Sequence, residues 1–164
     1  MRLGEHRFDL HLEWTPEAGA DPTGARPGAR SARRAHLVNA PGKLHPVEGS
    51  AARAFHGDPE RWNPEELLLA ALADCHLLSY LYVAAKHGVV VRAYTDEPTA
   101  VLHEDGRGGG SIVEAVLRPR VTVAEASMTG LAMELHREAS ELCFIAASVA
   151  FPVRHEPTVD VLGD

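Results

Sequence analysis

Two cysteines, Cys75 and Cys143, are the residues of this 164-residue chain whose type points most directly to chemistry. A thiol attacks as its thiolate and can be oxidised to a sulfenic acid, which a second thiol converts to a disulfide. Cys75 stands in the stretch WNPEELLLAALADCHLLSY, on the same helical face as Leu68, Ala71 and Leu72. That position is also what an ordinary packed cysteine would occupy. Cys143 lies on a later helical stretch without a CxxC spacing, so a bridge between the two joins separate elements. Holding a thiolate at neutral pH calls for a cation close by, and arginine suits that task. His76 follows Cys75 directly, but neighbours on a helix point about 100° apart, so an orienting or structural role fits it better than that of a base. There is no HExxH, and a metal site from Cys75, Cys143 and His136 is the weaker alternative; we expect no metal and no bound cofactor.

The elements that must position these residues are legible from pattern. Asn63 is placed as an N-cap, with Pro64 at the first helical position and Glu65 and Glu66 in the first turn. Lys86 and His87 end this central helix (63–87) before Gly88. Its apolar residues cover nearly the whole circumference, which predicts burial on most sides and, in a chain this short, a second copy to complete it. Before the helix, RFDLHLEW alternates with Phe8, Leu10, Leu12 and Trp14 on one face, a half-buried strand. A Gly/Pro-rich segment (15–30) reads as a mobile hairpin tip, and SARRAHLVN and KLHPVEG as returning strands, completing an N-terminal sheet over 1–57. Residues 89–123 read as a strand hairpin tipped by GRGGG, 126–149 as a second helical region and 151–162 as a last strand. The order predicts one α+β domain over 1–164, with antiparallel sheet.

Composition narrows the role. With 45% hydrophobic and 24% charged residues the chain matches an ordinary globular domain, able to bury roughly 70% of its unfolded surface. A net charge of −7 speaks against nucleic-acid binding. The cluster Arg26, Arg30, Arg33 and Arg34 sits among Gly and Pro without aromatics and reads as a solvated loop. The longest uncharged apolar run, Leu67 to Ala73, is far short of the roughly 20 residues of a membrane span. The N-terminal MRLGEHRFDL lacks the apolar core of a signal peptide, and two cysteines do not make a disulfide scaffold, so a cytoplasmic location is expected.

WNPEELLLAALADC resembles the NPE(E/Q)L…A..(A)C signature of the OsmC/Ohr family of small dimeric α+β thiol peroxidases. The likeness extends from about Gly49 onwards, through GSAARAFHGD, the strands after the first helix and a second cysteine late in the chain. The resemblance implies antiparallel sheets around two long helices in an intertwined homodimer. It further implies Cys75 as the peroxidatic and Cys143 as the resolving cysteine, small organic hydroperoxides as substrates, and an external dithiol as reductant. The family's glutamate falls on Glu65, where it would hold an arginine over the thiolate; Arg53 is the first choice for that arginine and Arg61 the second. Glu65 and Cys75 stand about 15 Å apart along a straight helix, so either an arginine bridges them or the glutamate serves the partner subunit's thiol. One departure is visible: Cys143 is followed by FIAAS where the family pattern reads CPxS. The alternative reading is a non-enzymatic module that binds a small apolar ligand and whose cysteines are merely buried.

Overall fold

The structure is a computed structural model that describes residues 4–14 and 34–163. The expected loop at 15–30 lies outside these residues. The chain divides at Leu67/Leu68 into two compact units, with the boundary inside the first turns of the long helix.

In the first unit, β1 (His11–Glu13), β2 (His36–Asn39) and β3 (Val47–Gly49) form an antiparallel sheet in that order. The alternating strand is shorter than its pattern, and its apolar face is not half-buried in the single chain: Phe8 is 91% exposed and Leu10 68%. After β3 the chain folds back on itself, since Ser50 N–H donates to Trp62 O and Trp62 N–H to Glu48 O. The closed loop carries a 3₁₀ turn at Arg53–Phe55.

The helix α1 (Pro64–Lys86) begins as its sequence dictates. Glu66 N–H donates to Asn63 Oδ1 at 2.8 Å, and Asn63 N–H donates to Glu66 Oε2 at 3.3 Å, a reciprocal capping box. It ends at Gly88, whose φ of 74° lets Val89 N–H reach back to Ala84 O and Gly88 N–H to Ala85 O. The 23 residues of α1 are long and apolar enough, by length and composition, to cross a bilayer. Its placement is nevertheless that of a core helix, because Leu72, His76, Tyr80, Val83 and Ala84 form a buried stripe within the protein. The other faces carry exposed Leu78 (59%) and Tyr82 (64%) in the single chain.

The second unit holds two three-stranded sheets, each mixed rather than purely antiparallel. Strand β7 (Pro119–Val123) lies between antiparallel β4 (Val91–Asp96) and parallel β9 (Thr158–Val161). Strand β6 (Gly110–Leu117) lies between antiparallel β5 (Thr99–Glu104) and parallel β8 (Val153–His155). Each stretch read as a single strand is thus broken in the middle. Pro98 and Pro157, which have no N–H for a ladder, stand at two of the breaks. Arg118 stands at the third and ties them together: its N–H donates to Asp96 Oδ1, its Nη1 to Thr99 Oγ1 and its Nε to Glu156 Oε2. The glycine-bearing tip between β5 and β6 matches its expectation, with Gly106 and Gly108 at positive φ and Asp105 Oδ1 accepting from the N–H groups of Arg107 and Gly109.

The second helical region resolves into a 3₁₀ turn (Ala126–Met128), the helix α2 (Thr129–Glu141) and a further 3₁₀ turn (Ala146–Ser148). Tyr80, Val83 and Ala84 of α1 pack with Val121, Val123, Ala132, Leu135 and Ala139. A second cluster joins Leu72 to Ala115 and Leu117, with Ile145, Ala146 and Phe151 packed on it. His76 stands on the stripe between the two.

Candidate functional site

Cys75 is half-buried on α1, one turn beyond Leu72, whose own burial against Ala115 and Leu117 orients that part of the helix. Cys143 follows the C-terminus of α2, and its N–H donates to Ser140 O in a tightened last turn. It is 2% exposed. The two thiols, far apart in sequence, lie close together, near enough for Cys75 to act on the Cys143 thiol. Both are reduced.

The surroundings of Cys143 are opposed in sign. Burial, and then the hydrogen bond with Cys75, push its thiol up to about 11, while N–H groups of Ala146 and Ile145 directed at the sulfur pull the other way. The Ala146 N–H lies 3.4 Å from Sγ. The FIAAS segment therefore contributes backbone donors to the sulfur, from the residues that open the 3₁₀ turn.

Glu65 occupies the first turn of α1, half-buried, and its Oε2 has no partner among the described residues. It is on the same helix as Cys75 but about three turns away, too far for the two side chains to meet along that helix. Arg61 is committed to Glu48 at 3.0 Å and Asp58 at 3.5 Å. Arg53 is exposed on its 3₁₀ turn and makes no ion pair among the described residues.

A polar cluster not foreseen from sequence joins α1 to α2 through His76 and His136. His76 Nε2 is 3.1 Å from His136 Nδ1, the His155 ring packs on His76 at 4.3 Å, and Tyr80 stacks on His136 at 4.2 Å. Tyr80 OH donates to Ala132 O at 3.0 Å. Burial, reinforced by the mutual repulsion of the rings, lowers His76 to about 3 and His136 to about 4; burial also lowers His155. All three are neutral at physiological pH. The signal available in sequence was the spacing of His76 midway between Leu72 and Tyr80, which puts an imidazole on the buried stripe. His136 is thus a partner of His76, and among the described residues no group of three or more His, Cys, Asp or Glu is arranged to hold a metal ion.

The profile of the OsmC-like protein family matches residues 57–158, a span that includes both cysteines and Glu65. The chain belongs to the OsmC family. An OsmC-like protein of unknown function from Vibrio cholerae is similar in structure, with a TM-score of 0.81 and 29% identity over 94% of this chain and 100% of that one. An organic hydroperoxide resistance protein from Legionella pneumophila aligns over 96% of this chain and all of its own, with a TM-score of 0.66 and 17% identity. The organic hydroperoxide resistance protein of Bacillus subtilis aligns at 0.58 and 18% over 93% and 98%. At such identities the last two share the OsmC fold and nothing more specific. No curated protein matches. Membership in the OsmC family suggests a redox or peroxidase-like role, and the paired cysteines are in keeping with it.

Proposed function

We propose that this OsmC-family protein is a thiol-dependent reductase of small organic hydroperoxides. The observation that carries the reading is the closeness of Cys75 and Cys143, two residues on separate elements. In the proposed cycle the Cys75 thiolate attacks the outer oxygen of ROOH and a sulfur–oxygen bond forms as the O–O bond breaks. The bonding pair leaves on RO⁻, which takes up one proton to give the alcohol. Cys143 then attacks the Cys75 sulfenic acid; the disulfide forms and hydroxide departs with the thiol proton as water. An external dithiol restores both thiols by exchange. The leucines around Cys75 favour an apolar peroxide.

Arg53 is assigned as the guanidinium that stabilises the thiolate and the developing alkoxide, with Glu65 as its anchor, in the same or the partner subunit. In favour of Arg53 over Arg61 is the engagement of Arg61 by Glu48 and Asp58. Homodimerisation belongs to the same reading: the exposed Leu78, Leu81 and Tyr82 on α1 form an apolar face that a second copy would cover.

The decisive experiment supplies cumene or tert-butyl hydroperoxide with a dithiol and follows peroxide loss alongside intact mass. The reading requires turnover that Cys75→Ser abolishes, and a loss of two hydrogens on stoichiometric oxidation. Turnover equal in wild type and Cys75→Ser would overturn it. In favour of the non-enzymatic alternative stands the deep burial of Cys143; slow alkylation of both thiols with no disulfide after peroxide would support it.

A further inference from the structure

A cavity of about 330 Å³ opens between α2 and the β8–β9 turn, lined by Met133, His136, Arg137, Ser140, His155 and Pro157. Its lining contains one guanidinium, one hydroxyl and two imidazoles, and no carboxylate. Arg137 is exposed and has no ion-pair partner among the described residues. His136 is 97% removed from solvent, and its Nε2 has no hydrogen-bond partner among the described residues; the same holds for His155 Nε2. A buried polar atom left without a partner carries an uncompensated desolvation cost, and such orphans call for an occupant or a role.

The tautomers narrow the occupant. His76 and His136 are neutral, so each ring carries one N–H, and their 3.1 Å contact uses one of the two. If His76 Nε2–H donates to His136 Nδ1, then His136 must carry its proton on Nε2 and needs an acceptor there. In the opposite arrangement Nε2 presents a lone pair and needs a donor or a cation. Arg137, which lines the same cavity and has no ion-pair partner among the described residues, disfavours a cation there and, with no carboxylate in the lining, favours an acceptor-rich anion.

We propose that this cavity is a binding site for a small monocarboxylate, with Arg137 and the two imidazole N–H groups receiving the carboxylate and Met133 and Pro157 receiving its aliphatic part. The two Nε2 atoms are shut off from bulk water in the unliganded protein, and Met133, unbranched and 40% exposed in the same lining, is free to change rotamer as the carboxylate enters. Bound, the carboxylate locks His136 as the Nε2–H tautomer and, through it, His76 as the donor to Nδ1. The site is separate from the cysteine chemistry and stands or falls without it.

The test is a titration of the full ¹⁵N-labelled chain with sodium propionate, read by long-range ¹H–¹⁵N spectra of the histidine rings. Sodium chloride at matched ionic strength and neutral propionamide serve as comparisons. The expected result is a saturable response confined to propionate, with His136 Nε2 and His155 Nε2 moving to protonated, hydrogen-bonded positions. Arg137→Gln, an exposed substitution that leaves the core intact, is expected to weaken binding by about tenfold or more, and Arg137→Lys to restore part of it. The proposal is overturned by an equal response to chloride, by equal binding of propionamide, by Arg137→Gln having no effect, or by His136 settling in the opposite tautomer.

Discussion

His76 Nε2 lies 3.1 Å from His136 Nδ1 in the interior of the second unit, joining α1 to α2 through two neutral imidazoles. The rings can remain neutral because burial lowers His76 to about 3 and His136 to about 4. Acid must therefore charge a buried ring before it can be accommodated. In the unfolded chain the same histidines titrate near 6.5, so between the two values the unfolded state binds more protons. Stability is complete above about pH 6.5 and falls as the pH drops from there through about 4 towards 3. Each ring contributes a slope approaching about 1.4 kcal/mol per pH unit inside that window. Urea unfolding at a series of pH values measures the slope, and His155→Gln should flatten it; a stability independent of pH between 7 and 4 would contradict the burial of the rings.

Cys143→Ser separates the two steps of the proposed cycle. With the resolving sulfur gone, one equivalent of hydroperoxide should add one oxygen to Cys75 in place of removing two hydrogens, and a second equivalent should carry it further up the oxidation ladder. Intact mass reads each species directly. Loss of two hydrogens in this variant would point to a bridge between subunits through Cys75.

Alkylation distinguishes the thiols in the resting protein. Burial and the bond to Cys75 hold the Cys143 thiol up to about 11. Iodoacetamide at neutral pH should label Cys143 far more slowly than a free thiol does, with the rate climbing as the pH approaches that value. Peptide mapping after timed quenching gives the rate.

Arg53→Ala and Arg61→Ala are expected to differ in kind. Removal of Arg53 takes away the guanidinium assigned to the thiolate and should lower kcat/KM for cumene hydroperoxide by about a hundredfold with little change in melting. Arg61 is a partner of Glu48 and Asp58 near the surface, so its loss should shift stability by about 1 kcal/mol or less and leave turnover near that of wild type. The reverse pattern would transfer the role to Arg61.

The ends of α1 are also open to test. Asn63→Ala removes the acceptor of Glu66 N–H and should cost about 1 kcal/mol. At Gly88 a methyl group would meet nothing, yet the φ of 74° makes Gly88→Ala unfavourable by about 1–2 kcal/mol through the backbone alone. Denaturant midpoints for the two variants check both values.

Local chemistry makes much of this protein legible in its sequence. The limits of α1 follow from Asn63, Pro64 and Gly88, because caps depend on residues within a turn of one another. The β5–β6 tip likewise follows from glycines that tolerate positive φ. What depends on distant partners was beyond reach. Whether β8 and β9 pair parallel with β6 and β7, where strands break around Arg118, and that His76 finds His136 and His155 are all settled by packing between segments dozens of residues apart. The pairing of Cys75 with Cys143 belongs to the same class. Sequence showed two thiols on two helical stretches, but a helix face specifies only a direction, and it took the joint packing of Leu72 and Ile145 in one cluster to bring the two sulfurs close together.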